Sequence, residues 1–303
     1  MFSVVIPYYK KRQYIKRCID SVLAQTYQNF EIIIVDDGSK DDLKYFLQES
    51  YSEKITLIQQ SNQGVSASRN CGVMNSKYDY VAFLDADDFW QKDFLLYVNK
   101  LISIKNPDLI NTGFTSNKSK LQRKNKKLIY RKISEKEYLL KSSYSAIIHS
   151  SSVIVKKELF KKTKGFDTSL RRGEDIDMWL RLVAQSNNFF KIKNILSYYD
   201  IEIVGQVTKE KSDFEFSFAS KLENFAQSED KYRLFAKRFM YSRLFEYNFS
   251  NPDKTSFFID LLGLNIPFYS FYRIKSSYFS KMQNSKLRIL VNKYLKFTVK
   301  FLK

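Results

Sequence analysis

The first two thirds of this sequence predict an α/β fold with a mostly parallel central sheet, and three observations carry that prediction. Short apolar runs alternate with runs of helical spacing up to about residue 110. The apolar runs are continuous rather than alternating with polar residues, as strands covered on both faces are. Two of them end in acidic clusters, and ligands of open parallel sheets bind beyond the carboxyl ends of the strands.

The elements follow in order. Phe2–Ile6 reads as a strand, and Lys11–Gln25 as a helix whose apolar residues Tyr14, Ile15, Cys18, Ile19, Val22 and Leu23 recur at helical spacing. Phe30–Val35 is a continuous apolar strand that runs into Asp36-Asp37-Gly38-Ser39. A helix over 41–50, a strand over Ile55–Gln59, a helix over 65–76 and a strand over Tyr80–Leu84 come next, the last ending in Asp85-Ala86-Asp87-Asp88. Further on, Ser150–Val155 and Ile195–Tyr199 read as strands, and Gly173 precedes an amphipathic helix with Ile176, Trp179, Leu180 and Val183 on its apolar side. The C-terminal third reads as helical around 213–249 and 255–264, with many Phe and Tyr among Lys and Arg. Over Lys286–Lys303 the residues Leu287, Leu290, Val291, Tyr294, Thr298, Phe301 and Leu302 share one side, the pattern of a basic amphipathic helix.

Composition narrows the class. Lys plus Arg number 51 against 32 Asp plus Glu, a net charge of +19 that favours polyanionic partners. The excess is uneven: Leu261–Lys303 carries nine basic residues and segment 118–132 eight, neither with an acid. The acids gather instead at 36–42, 85–93 and 174–177. Two cysteines, Cys18 and Cys71, fit neither a disulfide framework nor a cysteine metal site, which points to a reducing compartment. The chain opens directly into an apolar strand with no charged leader before it, and no stretch reaches about 18 uninterrupted apolar residues. The expectation is a cytoplasmic protein, peripheral on the inner face of the cell membrane.

No Gly-x-Gly-x-x-Gly or Gly-x-x-x-x-Gly-Lys-Ser/Thr occurs, so a nucleotide would be held by side chains and metal rather than by a glycine-rich loop. Asp85-x-Asp87 at a strand end offers the hard oxygen ligands that Mg²⁺ or Mn²⁺ prefers, with Asp88 in support. The same four residues also make a good turn and helix cap. Asp36-Asp37-Gly38-Ser39 carries the same double reading. Arg69 stands on a helix of small residues, from which a guanidinium could reach a diphosphate. Glu174 and Asp175 fall in a helical first turn, where free N–H groups and the helix dipole favour an ionised carboxylate, the state a general base needs. Helix capping alone is the plainer explanation of that pair. His149, the single histidine, stands at a strand start, where such a residue is more often structural.

The motifs gain meaning as a set. Val4-Val5-Ile6-Pro7, Val35-Asp36-Asp37-Gly38-Ser39, Asn62 to Asn70 (NQGVSASRN), Phe83 to Asp88 (FLDADD) and Gly173-Glu174-Asp175 occur in that order. This set resembles the family 2 glycosyltransferases, inverting enzymes with the GT-A fold, over residues 3 to about 208. The resemblance implies that Pro7, Asp36 and Asp37 line the donor's base and ribose pocket and that Arg69 helps hold the nucleotide. It further implies that Asp85 and Asp87 serve donor and metal, with Asp87 the direct ligand of Mn²⁺ or Mg²⁺, and that Asp175 is the catalytic base. Where many relatives carry a histidine after the strand ending at Tyr199, this chain has Glu202, an acceptable ligand for the same ions. The expected organisation is a GT-A domain over 1–208 and a basic helical region over 209–303 that meets an anionic membrane surface or a second copy, through 261–303.

The expected partners are a nucleotide-sugar donor, with UDP the favoured carrier, and a glycan or polyprenyl-diphosphate-linked acceptor of cell-surface polysaccharide synthesis. A nucleic-acid binder is disfavoured because no recognition motif accompanies the charge and because carboxylates at strand ends repel a phosphate backbone. A phosphohydrolase acting through Asp85 leaves Asp36-Asp37 and Glu174-Asp175 unexplained, and a nucleotidyltransferase lacks its phosphate loop after the first strand. A catalytically inactive homologue acting as a scaffold is the alternative, kept by the altered stretch at 200–206.

Overall fold

The computed structural model describes residues 1–51, 55–121, 127–201, 214–228, 230–242 and 252–264. They fall into two compact units, one of residues 1–134, 148–169 and 174–206, the other of 135–147, 170–173 and 207–303.

The first unit opens with β1 (Phe2–Tyr8), α1 (Arg12–Leu23), β2 (Phe30–Asp36), α2 (Leu43–Ser50), β3 (Ile55–Gln59), α3 (Val65–Met74) and β4 (Tyr80–Phe83). The α/β expectation holds element by element, with ends displaced by a residue or two. It continues with β5 (Phe89–Trp90), α4 (Phe94–Lys105), β6 (Leu109–Thr115), α5 (Lys118–Leu121) and β7 (Tyr130–Lys132). The helix α6 (Glu135–Ser142) belongs to the second unit, after which β8 (Val153–Lys156), α7 (Lys157–Lys162), α8 (Glu174–Gln185) and β9 (Phe189–Tyr198) complete the first.

One sheet runs in the order β3-β2-β1-β4-β8-β6-β9-β5, with β7 added on β9. β1 pairs in parallel with β2 and β4, β2 with β3, and β6 with β9. β8 enters antiparallel between β4 and β6, so its start lies beside the carboxyl end of β4. That crossing matters for function because it brings residues 149–152 to the edge where β1, β2 and β4 end.

Both faces of the sheet are covered, which explains the continuous apolar runs. Val4, Ile6, Ile32 and Ile34 join Ile15, Ile19 and Val22 of α1 and Phe94, Val98 and Leu101 of α4 in one core. On the opposite face Phe83 meets Phe160, Phe166 and Trp179 at ring separations of 6.0, 5.6 and 6.3 Å. α3 lies close on β1 because position 72 is glycine: a Cβ there would stand 2.3 Å from Val5 Cγ1. Ser150–Ser152 form a 3-10 turn and only Val153–Lys156 a strand, where the sequence suggests strand from residue 150. The Ser152 hydroxyl causes the difference: its Oγ accepts from the His149 N–H at 3.1 Å and donates to the His149 carbonyl at 2.7 Å, a local alternative to ladder pairing.

The second unit is helical in its described residues, as its composition suggests. α9 (Leu222–Ala226), α10 (Asp230–Ser242) and α11 (Pro252–Leu261) follow two 3-10 turns, Phe214–Phe216 and Phe218–Lys221. Phe218, Phe225, Phe235 and Phe239 pack edge to face or tilted at 5.1–6.3 Å. α6 is fastened there by Glu135, which receives Tyr232 Oη and pairs with Lys231 at 3.0 Å. The amphipathic stretch 286–303 and most of the basic segment 261–303 lie outside the described residues.

Candidate active site

Three parallel strands end at one edge and deliver the acidic clusters together. Tyr8 lies opposite Asp36 and Val5 opposite Phe83 in the ladder, so Pro7-Tyr8, Asp36-Asp37 and Asp85–Asp88 leave the sheet side by side. Pro7 itself is a buried rung of β1 opposite Val35.

Asp36 and Asp37 are both 4% exposed and both engaged with protein donors. Asp36 accepts from the Ser39 N–H at 3.0 Å and more weakly from Gln59 Nε2 at 3.4 Å. Asp37 accepts from Gln60 Nε2 at 2.8 Å, from the Gln63 N–H at 2.9 Å and from the Gly64 N–H at 2.8 Å. Asp37 therefore fixes the entry into α3, while Asp36 keeps more acceptor capacity for a ligand.

Arg69 is the centre of the constellation. It is 3% exposed, and its guanidinium donates through Nη2 to Asp85 Oδ1 at 2.8 Å and through Nη1 to Glu174 Oε1 at 3.3 Å. Its carbon lies 5.2 Å from the centre of the Phe166 ring. One side chain thus ties the Asp-x-Asp loop to the first turn of α8. The neighbouring Asn70 fastens the same region, donating to the Phe166 carbonyl at 2.9 Å and accepting from its N–H at 2.8 Å.

The loop 85–88 is clamped from several sides. Ser151, fully buried, accepts from the Asp85 N–H at 3.1 Å and donates to Asp88 Oδ2. Asp88 Oδ1 receives the Asp200 N–H at 3.1 Å, and Arg17 Nη2 donates to the Asp87 carbonyl at 2.5 Å and to Asp200 Oδ2 at 3.1 Å. Lys11 Nζ stands 3.0 Å from Asp87 Oδ2. His149 caps the 3-10 turn through Nδ1, which accepts from the Ser151 N–H at 3.3 Å, and its ring joins those of Phe114 and Tyr199 in a three-ring cluster.

Crowded carboxylates set the electrostatics. Burial raises the Asp88 carboxyl well above the usual range, and the charges of Asp85 and Asp87 push it further. Burial and Asp85 also raise Asp87, against the pull of Lys11. Burial acts the same way on Asp85, but the Arg69 guanidinium, with the Lys11 ammonium near the same loop, more than offsets it and holds this carboxyl below the ordinary value. Burial lowers His149, so its ring is neutral near pH 7 and free to accept from Ser151. Glu174 departs from the sequence expectation: burial and the Asp175 charge push it up to about 7, outweighing both Arg69 and the helix N-terminus.

Comparison with known proteins identifies the frame that carries this site. The family model described as Glycosyl transferase family 2 matches residues 3–163, more than half of the chain. The chain belongs to this family. An uncharacterized glycosyltransferase of Rickettsia prowazekii is 32% identical over 212 residues, 67% of this chain and 62% of the relative. Another from Haemophilus influenzae is 33% identical over 207 residues, covering 65% of this chain and 67% of the relative. Staphylococcus aureus TarS residues 1–349, solved in complex with UDP-GlcNAc, superimposes with a TM-score of 0.69 at 19% identity, over 91% of this chain and 81% of that one. The fold is GT-A, as the motif resemblance implies.

The structure gathers Asp85, Asp87, Arg69, Glu174 and Asp175 in the first unit of the family 2 chain, and Glu202 lies outside the described residues. Asp175 occupies the first turn of α8, where its Oδ1 accepts from the Ile176 N–H at 2.8 Å. Gly173, with φ of 75°, turns the chain into that helix in a conformation that side chains resist. Lys11, Arg17, Ser151 and Asp200 have no sequence signal of their own, because each reaches the loop through a tertiary contact. Carboxylate oxygens suit Mg²⁺ or Mn²⁺, and a cation at Asp87 would relieve the burial and the neighbouring Asp85 charge that raise this carboxyl. Among the described residues no three His, Cys, Asp or Glu side chains converge on one point, so a cation here would draw ligands from substrate or water.

Proposed function

We propose that this family 2 protein transfers a sugar from a nucleotide-sugar donor, most simply a UDP-sugar, to an acceptor hydroxyl with inversion at the anomeric carbon. The observation that carries this reading is the double engagement of Arg69, which joins the end of the Asp85-x-Asp87 motif to the helix turn bearing Asp175. Donor-handling and acceptor-handling groups are thereby held in one rigid frame. The UDP-GlcNAc bound by the TarS fold relative supports the choice of donor class.

In this reading Asp175 accepts the proton of the acceptor hydroxyl as that oxygen attacks the anomeric carbon, and a single displacement inverts the centre. Arg69 holds Asp85 and Glu174 in place during the displacement. Pro7 and Asp36 border the base and ribose pocket, and Asp37 shapes it by holding the Gln63-Gly64 turn. Mn²⁺ or Mg²⁺ would be held by Asp87 with Asp85 beside it, and when bound would neutralise charge growing on the departing nucleoside diphosphate. The acceptor is a glycan or polyprenyl-diphosphate-linked saccharide, and the basic segment 261–303 meets the anionic membrane surface on which such an acceptor resides. No helix among the described residues is long and apolar enough to cross a membrane.

Calorimetric titration with UDP, with and without Mn²⁺, tests the donor site on the wild-type chain and on Asp87→Ala. Mn²⁺-dependent binding that disappears in the variant supports the reading, and no UDP binding in either condition refutes it. For the base, Asp175→Asn is expected to slow transfer by about 10²- to 10⁴-fold while UDP affinity is kept. Undiminished transfer would remove Asp175 from the mechanism.

A further inference from the structure

The ammonium of Lys11 sits 3.0 Å from Oδ2 of Asp87, the carboxylate that the proposed function gives to the metal. The contact is partly shielded, with the two side chains 21% and 18% exposed. Lys11 is held where it is by its backbone: it is the residue before α1, and its carbonyl accepts from the N–H groups of Tyr14 and Ile15 at 2.9 and 3.1 Å. Arg17 of the same helix donates to the Asp87 carbonyl. Two cations from one helical segment thus converge on Asp87 before any ligand is considered.

A divalent ion on the same carboxylate must contend with this ammonium, since two cations within contact distance of one oxygen repel strongly. The protein also offers too few converging ligands, among the described residues, to hold a divalent ion by itself. A nucleoside diphosphate resolves both difficulties: its oxygens complete the cation's shell, and they give the displaced ammonium a new anionic partner.

We infer that Lys11 is a donor-site gate residue, which occupies Asp87 until the donor diphosphate draws it away, and so makes divalent-metal binding conditional on the nucleotide. The inference rests on the proposed metal site and goes beyond it by assigning an order of binding and the residue that enforces it.

The test measures Mn²⁺ binding by electron paramagnetic resonance, with and without UDP, on the full chain as wild type, Lys11→Met and Lys11→Arg. Wild type is expected to bind Mn²⁺ alone at least tenfold more weakly than in the presence of UDP, roughly the span that loss of a charge partner and ligand shell implies. Lys11→Met is expected to gain affinity for Mn²⁺ alone, about fivefold, and to lose affinity for UDP in metal-free buffer. Lys11→Arg is expected to behave as wild type. A gain of metal affinity is not an outcome that misfolding produces. If the ternary complex forms but Lys11→Met binds Mn²⁺ alone no better than wild type, the gate is overturned and the metal site stands. If no protein binds Mn²⁺ even with UDP, both are overturned.

Discussion

Ser151→Ala removes one oxygen and two hydrogen bonds from the clamp on the Asp-x-Asp loop. The hydroxyl accepts from the Asp85 N–H and donates to Asp88, and the residue is 0% exposed, so water does not replace it. A neutral bond of this kind contributes about 1 kcal/mol and one to a charged group about 1.5–3 kcal/mol, so the loss should reach about 2–4 kcal/mol. Nothing larger is expected, because the Ser151 carbonyl keeps its own donors, Trp90 Nε1 at 2.7 Å and Ser197 Oγ at 2.8 Å. Urea denaturation followed by tryptophan fluorescence is the suitable assay. Both tryptophans, Trp90 and Trp179, lie in the first unit, so the signal follows that unit alone. With an m-value of about 3 kcal/mol/M the midpoint should fall by roughly 1 M. A loss under about 0.5 kcal/mol, the range of ordinary surface changes, would refute the claim that this hydroxyl closes the loop.

The remaining predictions concern stability and pH. Glu174 has a folded-state pKa near 7 against an ordinary 4.5, so the folded chain holds a proton that the unfolded chain has released between those values. The resulting penalty is absent below pH 4.5, grows as pH rises and is complete above about 7, where it reaches about 3 kcal/mol. Glu174→Gln should therefore gain stability relative to wild type between pH 5 and pH 8, and a difference that does not change with pH would contradict this assignment. Gly72→Ala should lose about 1–3 kcal/mol through the contact with Val5, despite the better helix propensity of alanine. Val5→Ala in the same chain should recover part of that loss, since it removes the methyl groups in the way, and strictly additive losses would refute the steric cause. Asp37→Ala should cost about 1–3 kcal/mol in thermal or urea unfolding, because two backbone N–H groups before α3 lose their acceptor. If stability is unchanged and only UDP affinity falls, Asp37 is a ligand contact and not a fold contact.

Much of the fold was legible because its signals are local. β2 is apolar without a break from Ile32 to Val35 and ends at Asp36, and α1 buries Ile15, Cys18, Ile19 and Val22 at spacings of three and four. The strand expected from Ser150 starts later for a local reason too: the Ser152 hydroxyl and the His149 side chain form a capping box that competes with the ladder and closes a turn. What lay beyond reading was the antiparallel entry of β8 between β4 and β6, which depends on strand order and not on any residue of the strand. That entry decides the surroundings of Asp88, since it brings Ser151 and His149 to a loop more than sixty residues earlier in the chain.

Arg69 illustrates how a correct residue can carry an incomplete reason. A guanidinium on a helix of small residues suggests a phosphate ligand, and one of them, Gly72, lets α3 lie close on β1. The closeness has a second effect: it buries Arg69 to 3% exposure, where an arginine must be met by carboxylates or be strongly destabilising. Asp85 and Glu174 meet it, and removing Arg69 would leave two half-buried acids with no cation between them. Its charge is thus already committed to the protein before a nucleotide arrives. The mobile countercharge for a diphosphate must then come from a less buried, more loosely held side chain near the same carboxylates, and Lys11, 21% exposed and 3.0 Å from Asp87, is placed to supply it.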